Sequence, residues 1–487
     1  MDRLADLSSF EHHLTSPQGL GYLPAGGRSA TVGGGDCCDT VTITLATDGE
    51  RITGAGFEAH GCGAATAAGS AAVTLARGVP LLDAARIGAH EIAAELGGLS
   101  PGKLHAAEVA GDALARSLGA AASKRGAQGA PLDGRERTLV AMSGGVDSAV
   151  AALLCVRAGL ETVAVTLELW ADAEGDGERS CCSASAVAQA RALAHRLGLP
   201  HFTLDLRPEF RAGVVEPFIA GHAAGETPNP CVRCNGSVRL DAMLALADAL
   251  GCARLATGHY ARVEDGLLRS AADAAKDQTY MLAALSLESL ERMRFPLGEL
   301  TKPQVRALAE QAGLPVASKP DSQDLCFLAG TDRRRFLERH GGLRPTPGAI
   351  VDAAGTELGT HDGHELFTIG QRRGLGVAGG EPLYVLDKDP ATATVVVGPR
   401  SALATERVHV RAARLHRPGA CVDRIKLRYR SRPLAGRVAD DPPPGRHRSL
   451  TLELDEPASG AAPGQLACLM AGELVVGWGT IAQRPWR

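Results

Sequence analysis

Two stretches of the chain carry residue types that do chemistry at defined spacings. In SGGVDS, Ser143 to Ser148, glycines and small polar residues precede an apolar run. Glycines let backbone N–H groups approach an anion, and a helix start adds positive potential, so the stretch can cradle phosphate. A strand-to-helix turn of this composition can also be a plain turn. No lysine follows the glycines, which separates the stretch from a Walker A loop. In TPNPCVRCNGSVRL, Thr227 to Leu240, Cys231 and Cys234 stand three apart after a Pro-Asn-Pro turn. Such a pair can bind zinc, hold an iron–sulfur cluster, or act as a redox or nucleophilic thiol pair.

Both stretches need elements that hold them. RTLVAM reads as a short buried strand, SGGVDS as a tight turn, AVAALLCVRAGL as a helix and ETVAVTLELW as the next strand. HFTLDL and ARLATGHYA continue the order, which predicts an α/β doubly wound parallel sheet over residues 137–340. Ligands bind such sheets at the carboxyl ends of the strands, where SGGVDS falls. Residues 1–122 read as a separate α+β domain. There VTITLATDGERITGAGFEAHG alternates around a DGE turn like a hairpin, and KLHAAEVAGDALARSLGAAA has apolar residues at helical spacing. The polar run 123–136 reads as a linker. Beyond residue 340 the strand and turn signals become short and close, as in LYVLDKDPATATVVVG and SLTLELDEPASG. They predict a small mixed domain over 341–404 and a C-terminal β-barrel over 405–487.

The chain has 487 residues, enough for about three domains by the usual size relation. Its 45% hydrophobic and 22% charged residues are ordinary for a globular protein, and its net charge of −4 gives no sign of a nucleic-acid partner. No apolar run approaches membrane-spanning length, and MDRLADLSSFEHH lacks the pattern of a signal peptide. The expectation is a cytoplasmic protein without a membrane partner. Its 12 cysteines then sit in a reducing compartment, where metal binding or catalysis outranks structural disulfides. The neighbours Cys181 and Cys182 cannot easily share one metal and read as local structure.

SGGVDS resembles the pyrophosphate loop of the ATP-pyrophosphatases, which have an adenine nucleotide α-hydrolase-like fold, adenylate a substrate and release pyrophosphate. The resemblance implies ATP contacts from Ala141, Met142, Ser143, Gly144, Gly145, Val146, Asp147 and Ser148, with Asp147 helping to hold Mg²⁺. With TPNPCVRCN, the stretches ATGHYARV, AAKDQTYML, KPDSQDLCFLAG and FTIGQRRGLGV resemble the tRNA-specific 2-thiouridylases of the MnmA type, in the same order. That family activates the C2 oxygen of the wobble uridine with ATP and replaces it with sulfur. The resemblance implies Cys234 as catalytic thiol, Cys326 as persulfide carrier, and nucleotide contacts at Leu167 and Gly258. Asn229, Pro230 and Cys231 would face the target base; His259, Lys276, Asp277, Gln278, Arg428, Tyr429 and Gln465 would contact tRNA. The partners implied are the tRNA anticodon loop and a cysteine desulfurase or other sulfur donor.

Many members of that family have Asp where this chain has Cys231. Three thiols, Cys231, Cys234 and Cys326, suit a 4Fe–4S cluster whose open iron holds a sulfide. A persulfide pair of Cys234 and Cys326, or a zinc site completed by His259, stays open beside it.

In the first domain GGGDCCDTV, EAHGCGAAT and GKLHAAEVAGDAL resemble the IscU/NifU-type iron–sulfur scaffold. Its ligands carry over as Cys37, Asp39, Cys62 and His105, for an iron–sulfur cluster or zinc. The third family cysteine is replaced by Ala106, which makes Cys38 a further candidate. ERVHVRAARLHRPGACVDRIKLRYRSRPLAGR, Glu406 to Arg437, concentrates arginine as a phosphate-contact stripe would, and Arg372 and Arg373 could extend it. The leading reading is an ATP-dependent tRNA uridine 2-sulfurtransferase. The alternatives are an iron–sulfur or sulfur carrier with a vestigial ATP site, and another pyrophosphate-loop synthetase, which would not need the thiols.

Overall fold

The structure, a computed structural model, describes residues 8–33, 38–123, 136–170, 183–320, 325–328, 331–343, 346–377 and 381–483. The expectations for Cys37, Cys181, Cys182 and most of the linker fall outside the described residues.

In the first domain β1 (Arg28–Gly33), β2 (Thr40–Thr47) and β3 (Ile52–His60) form an antiparallel sheet in that order. β2 and β3 are the hairpin that the alternation predicts. α1 (Gly63–Ala76) and α2 (Leu104–Ala122) pack on the sheet. Small residues let them lie close: a Cβ on Gly69 would come within 2.4 Å of the Phe57 ring.

The middle of the chain contributes β4 (Arg137–Ala141), β5 (Glu161–Glu168), β6 (His201–Asp205), β7 (Arg254–Ala256), β8 (Arg262–Glu264), β9 (Leu267–Arg269) and β10 (Met293–Arg294). β10-β7-β4-β5-β6 is the strand order of a wholly parallel sheet. Its strands are apolar on both faces, as parallel strands covered on both sides must be. The helices α3 (Val146–Arg157), α4 (Ala184–Arg196), α5 (Pro230–Cys234), α6 (Leu240–Ala249) and α7 (Lys302–Gln311) accompany it. α3, α4 and α7 cover one face, packing Val150, Leu193 and Val305 on Val140, Ala164 and Ala256. α6 covers the other face through Leu240, Met243 and Leu246, beside Leu139, Val163 and Leu255. The chain order reverses between β4 and β7, and this is where a doubly wound sheet opens a ligand crevice.

That second core runs without a break into the first domain, because Leu114 and Leu118 of α2 share a cluster with Val163 and Phe202. The two domains are therefore docked rather than merely tethered. The Ala85 carbonyl accepts the His201 backbone N–H at 2.8 Å, Arg116 pairs with Glu168, and Asp112 pairs with Arg191. Burial pushes the Glu168 carboxyl up, and the Arg116 guanidinium pulls it back. Gly119 is required at the contact, since a Cβ there would lie 2.0 Å from the Thr203 carbonyl oxygen. Gly119→Val is expected to cost about 1–3 kcal/mol by overpacking. A full chain cut by a specific protease within residues 124–135 should run as one species on gel filtration, and the Gly119→Val chain should come apart. Separation of the cut wild-type halves would contradict the docked interface.

α8 (Arg333–Gly341) leads into β11 (Gly348–Val351), β12 (Glu357–His361), β13 (Tyr384–Asp389) and β14 (Thr394–Gly398), a sheet ordered β12-β11-β14-β13. The last part holds β15 (Ala404–Leu415), β16 (Arg424–Lys426), β17 (Leu434–Val438), β18 (Gly445–Ser459), β19 (Leu466–Ala471) and β20 (Leu474–Ile481). These strands close a barrel in the order β15-β18-β17-β16-β19-β20, because β20 pairs back onto β15. The β8–β9 hairpin joins the barrel through Leu474 and Arg269. Its turn is Asp265-Gly266, both left-handed at φ +50° and +71°, the backbone that an Asp-Gly hairpin turn requires. This hairpin lies within the bounds 137–340 of the expected α/β domain, yet it pairs with the barrel and so ties the two together.

Candidate functional site

The phosphate loop leaves β4 and enters α3. Gly144 is left-handed at φ +71°, and a Cβ there would also meet the Ala186 carbonyl at 2.9 Å. The Ser148 hydroxyl accepts from the Ser143 N–H at 3.1 Å and donates to the Gly145 carbonyl at 3.0 Å, which fixes the curl of the loop. Gly145 caps α3 without a side chain, so the first N–H groups of the helix keep their positive ends for an anion. Gly258 presses on the loop: a Cβ there would be 2.8 Å from the Ser148 nitrogen. Ala141 and Met142 lead into the loop, and Val146 opens α3. Leu167 sits near the end of β5, buried in the core.

The loop borders a cavity of about 1520 Å³. Ser143, Gly145, Asp147 and Gly258 line it from the α/β domain, and Arg424, Lys426, Tyr429 and Arg430 line it from the C-terminal barrel part. His259, Lys276, Asp277 and Gln278 line it as well. The structure thus brings the Ser143–Ser148 loop and most of the residues expected to contact tRNA to one cavity. Their side chains divide by use. The Asp277 carboxylate is turned inward, accepting from the Ala271 N–H at 3.0 Å and pairing with Lys426 at 3.3 Å. Gln278 accepts the Tyr260 N–H at 3.0 Å. Burial, with Arg239 nearby, pushes the His259 imidazole down to about 3, so it is neutral near pH 7, with Nδ1 2.8 Å from the Thr257 hydroxyl.

Arg428 and Gln465 also face inward. The Arg428 guanidinium donates to the Gly460 and Ile369 carbonyls. Gln465 donates through Nε2 to the Thr227 carbonyl at 2.6 Å, while the Thr227 N–H bonds to Pro463 at 2.8 Å. These bonds tie the barrel to the start of the TPNPC segment. The other flank of that segment rests on the helix Glu216–Ala223, where His222 is 1% exposed and lies 3.2 Å from the Glu365 carbonyl. Burial lowers His222 from its ordinary 6.5 to about 3. Between those values the unfolded chain binds a proton that the folded chain does not, so stability falls as pH drops below about 6.5. The slope expected from this group alone is up to about 1.4 kcal/mol per pH unit. Thermal melts between pH 7 and 4 should show a shallower decline for His222→Gln than for wild type.

Asn229 caps α5, accepting from the Cys231 N–H at 3.1 Å and the Val232 N–H at 3.3 Å, with Pro230 at the first helical position. A π turn, Asn235–Arg239, follows Cys234 before α6 resumes. Such turns often mark functional sites, and this one carries Arg239 to the cavity wall. Cys234 is 7% exposed; Cys231 and Cys326 are half-buried. Next to Cys326, Phe327 is locked between Phe218 and Phe336, with ring centroids 5.2 and 5.0 Å away. Among the described residues, none of the three thiols lines the cavity. Tyr429 connects the two regions: it lines the cavity, and its phenol, pushed up chiefly by burial, also feels the Cys231 thiol.

In the first domain the chemistry gathers at one point. Donor atoms of Asp39, Cys62 and His105 all lie within 4.8 Å of one another, and among the described residues no other such trio of metal-ligating groups occurs. The Cys62 thiol donates to Asp39 Oδ2 at 3.0 Å, its N–H bonds Oδ1 at 2.7 Å, and His105 Nε2 lies 3.1 Å from Oδ2. The bond from Cys62, foremost, lowers the Asp39 carboxyl below its ordinary value. Gly61 is needed beside it, since a Cβ there would lie 2.0 Å from Asp39 Oδ1. Ala106 is 0% exposed in the core, and Cys38 is exposed and outside the trio. Cys231, Cys234, Cys326 and His259 do not reach the spacing of the trio, so the zinc alternative has no close ligand set.

Sequence reasoning passed over Lys302, whose Nζ lies 2.8 Å from both Asp147 carboxylate oxygens, and Lys319, whose Nζ lies 3.1 Å from the Gly144 carbonyl. Each precedes a proline, in TKPQV and SKPDS, but neither spacing points to the loop.

Comparison with known proteins matches the chain in four parts. A model of the NifU-like N-terminal domain matches residues 9–128, and one of the tRNA methyl transferase HUP domain matches 136–330. A tRNA methyl transferase PRC-barrel domain matches 334–399, and an aminomethyltransferase beta-barrel domain matches 400–481. The bifunctional protein NifU/MnmA of Rubrobacter xylanophilus is 43% identical over 97% of this chain and 97% of its own length. The tRNA-specific 2-thiouridylase MnmA of Heliobacterium modesticaldum is 42% identical, covering 72% of this chain and 93% of its own. That of Mycolicibacterium smegmatis is 44% identical, covering 72% of this chain and 100% of its own.

Proposed function

The chain belongs to the family of bifunctional NifU/MnmA proteins, and from that premise we propose that it is an ATP-dependent tRNA uridine 2-sulfurtransferase acting on the wobble base. The observation that carries the reading is the shared cavity, lined both by the glycine-rich loop at a helix start and by arginines of the barrel. ATP lies with its phosphates on the Ser143–Ser148 loop, and the anticodon loop enters from the barrel side. An A-form stem is held by its backbone, while the reacting base is splayed out of the loop.

The uridine C2 oxygen attacks the α-phosphorus of ATP and pyrophosphate leaves. Adenylation turns that oxygen into a good leaving group. The outer sulfur of a persulfide on Cys326 then attacks C2, and AMP departs with the oxygen. Cys234 attacks the inner sulfur, giving 2-thiouridine and a Cys234–Cys326 disulfide, which a dithiol reductant reopens. A cysteine desulfurase then recharges Cys326 with persulfide sulfur; free sulfide does so instead of the reductant, attacking the Cys326 sulfur of the disulfide while Cys234 leaves as thiolate. Asn229, Pro230 and Cys231 border the base in this reading. His259, Lys276, Gln278 and Tyr429 meet the RNA, while Asp277, Arg428 and Gln465 support the surfaces it meets, as their inward bonds indicate.

Two implied groups fare differently. Asp147 already carries Lys302 and the Tyr260 hydroxyl at 2.8 Å, so the carboxylate expected to hold Mg²⁺ is taken, and no step is derived through that ion. The trio Asp39, Cys62 and His105 offers O, S and N donors suited to zinc or iron, with Cys37 a further candidate ligand. Iron or zinc there would bind sulfide or a thiolate as cargo for the second domain. His105 and Gly119 stand 14 residues apart on α2, about 21 Å at helical rise, so the metal trio lies far along the helix from that docking contact.

The test is purified full chain with ATP, Mg²⁺, sulfide and undermodified tRNA, read by mass spectrometry of digested nucleosides. Wobble 2-thiouridine with stoichiometric AMP and pyrophosphate is expected. Pyrophosphate release without thiolated base would point to another pyrophosphate-loop synthetase.

A further inference from the structure

The loop lacks the lysine that follows the glycines in a Walker A motif, yet the fold returns lysine to it from elsewhere. Lys319 lines the cavity and reaches the loop from the chain beyond α7. Its Nζ donates to the Gly144 carbonyl at 3.1 Å and to Gln189 Oε1 at 2.6 Å. An ammonium has three N–H donors and no acceptor. Here two of them meet neutral oxygens, and among the described residues no carboxylate pairs with it. The nearest acidic group of the loop, Asp147, is neutralised by Lys302 instead. Lys319 thus presents a half-buried positive charge beside a row of helix-start N–H groups. A half-buried cation held only by neutral dipoles favours an anion next to it.

We propose that Lys319 is a phosphate-binding residue of this site, contacting the pyrophosphate end of the bound nucleotide from beside the Ser143–Ser148 loop. The inference rests on the nucleotide reading given above. A lysine that follows the glycines is bound to its own loop, whereas Lys319 comes from a separate segment and can seat after the nucleotide enters. Gln189 and the Gly144 carbonyl hold the ammonium at the loop while no anion is present. Lys302 acts one step behind, cancelling the Asp147 charge that would otherwise repel phosphate.

The experiment is calorimetric titration of the full chain with inorganic pyrophosphate in EDTA, without tRNA. Wild type is expected to bind. Lys319→Gln should bind at least 10-fold more weakly, and Lys319→Arg, which keeps the charge, should stay within about 3-fold of wild type. In parallel, amine acylation of the wild-type chain followed by peptide mass spectrometry should show Lys319 protected by pyrophosphate, which reads the contact even where a variant misfolds. Undiminished binding by Lys319→Gln, or labelling of Lys319 indifferent to pyrophosphate, would overturn this inference alone. A wild-type chain that binds neither pyrophosphate nor ATP would overturn the nucleotide reading with it.

Discussion

Cys234→Ala is expected to lower 2-thiouridine formation at least 10³-fold while leaving ATP binding unchanged. The reason lies in placement. Asn229 caps the short helix that presents Cys234, Pro230 sets its first turn, and a π turn follows it. Alanine fits the same space but offers no nucleophile, and a group that forms a covalent bond to sulfur has no partial substitute. Cys326→Ala should be equally inactive with a persulfide donor. The companion variant Cys231→Asp separates the two sulfur routes. In the persulfide route Cys231 only borders the base, so Asp there should retain activity within about 10-fold. In the cluster route the same change should strip iron and activity together.

Cys62→Ala is expected to abolish stoichiometric iron or zinc binding by the first domain, with a loss of affinity of at least about 100-fold. Only Asp39 and His105 remain of the close trio, and Ala106, buried at 0% exposure, supplies no donor. In the metal-free arrangement the Cys62 thiol spends its proton on Asp39 Oδ2. Binding must expel that proton, so affinity should rise with pH. Competition with a metal-binding dye at several pH values measures both effects. Metal binding by Cys62→Ala equal to that of wild type would remove the trio from the account. Under excess sulfide the same variant should keep its ATP-dependent thiolation, since the first domain then supplies nothing the second one needs.

Much of this arrangement is legible in the sequence, and the reasons differ from element to element. The parallel sheet follows from apolar runs broken by a turn and a helix, a pattern that few other folds share. SGGVDS is readable as a strand-to-helix turn because glycine and helix start act locally, and the fold places it there. The Asp39, Cys62 and His105 trio rests on family resemblance, and the fold confirms that those three side chains converge. What the sequence conceals is set by distance along the chain. Lys302 and Lys319 approach the loop from more than a hundred residues away, and nothing near them in sequence announces it. The docking of α2 on β6 depends on Gly119, one glycine in a helix rich in small residues, whose meaning appears only beside Thr203. The β8–β9 hairpin carried a readable Asp-Gly turn, but its pairing with the barrel is non-local. Asp277, Arg428 and Gln465 are named as RNA contacts by motif, and their intramolecular hydrogen bonds to Ala271, Gly460 and Thr227 are a non-local feature that the motif does not announce.

The central claim is that the uridine oxygen, not water or a cysteine, takes the adenylate. It is tested most directly with tRNA whose wobble uridine carries ¹⁸O at C2, turned over once by the full chain with ATP and sulfide. The account predicts that the label leaves with the base's oxygen and appears in the phosphate of AMP, one atom per 2-thiouridine formed. Thiolated base accompanied by unlabelled AMP, with the ¹⁸O in water, would contradict it.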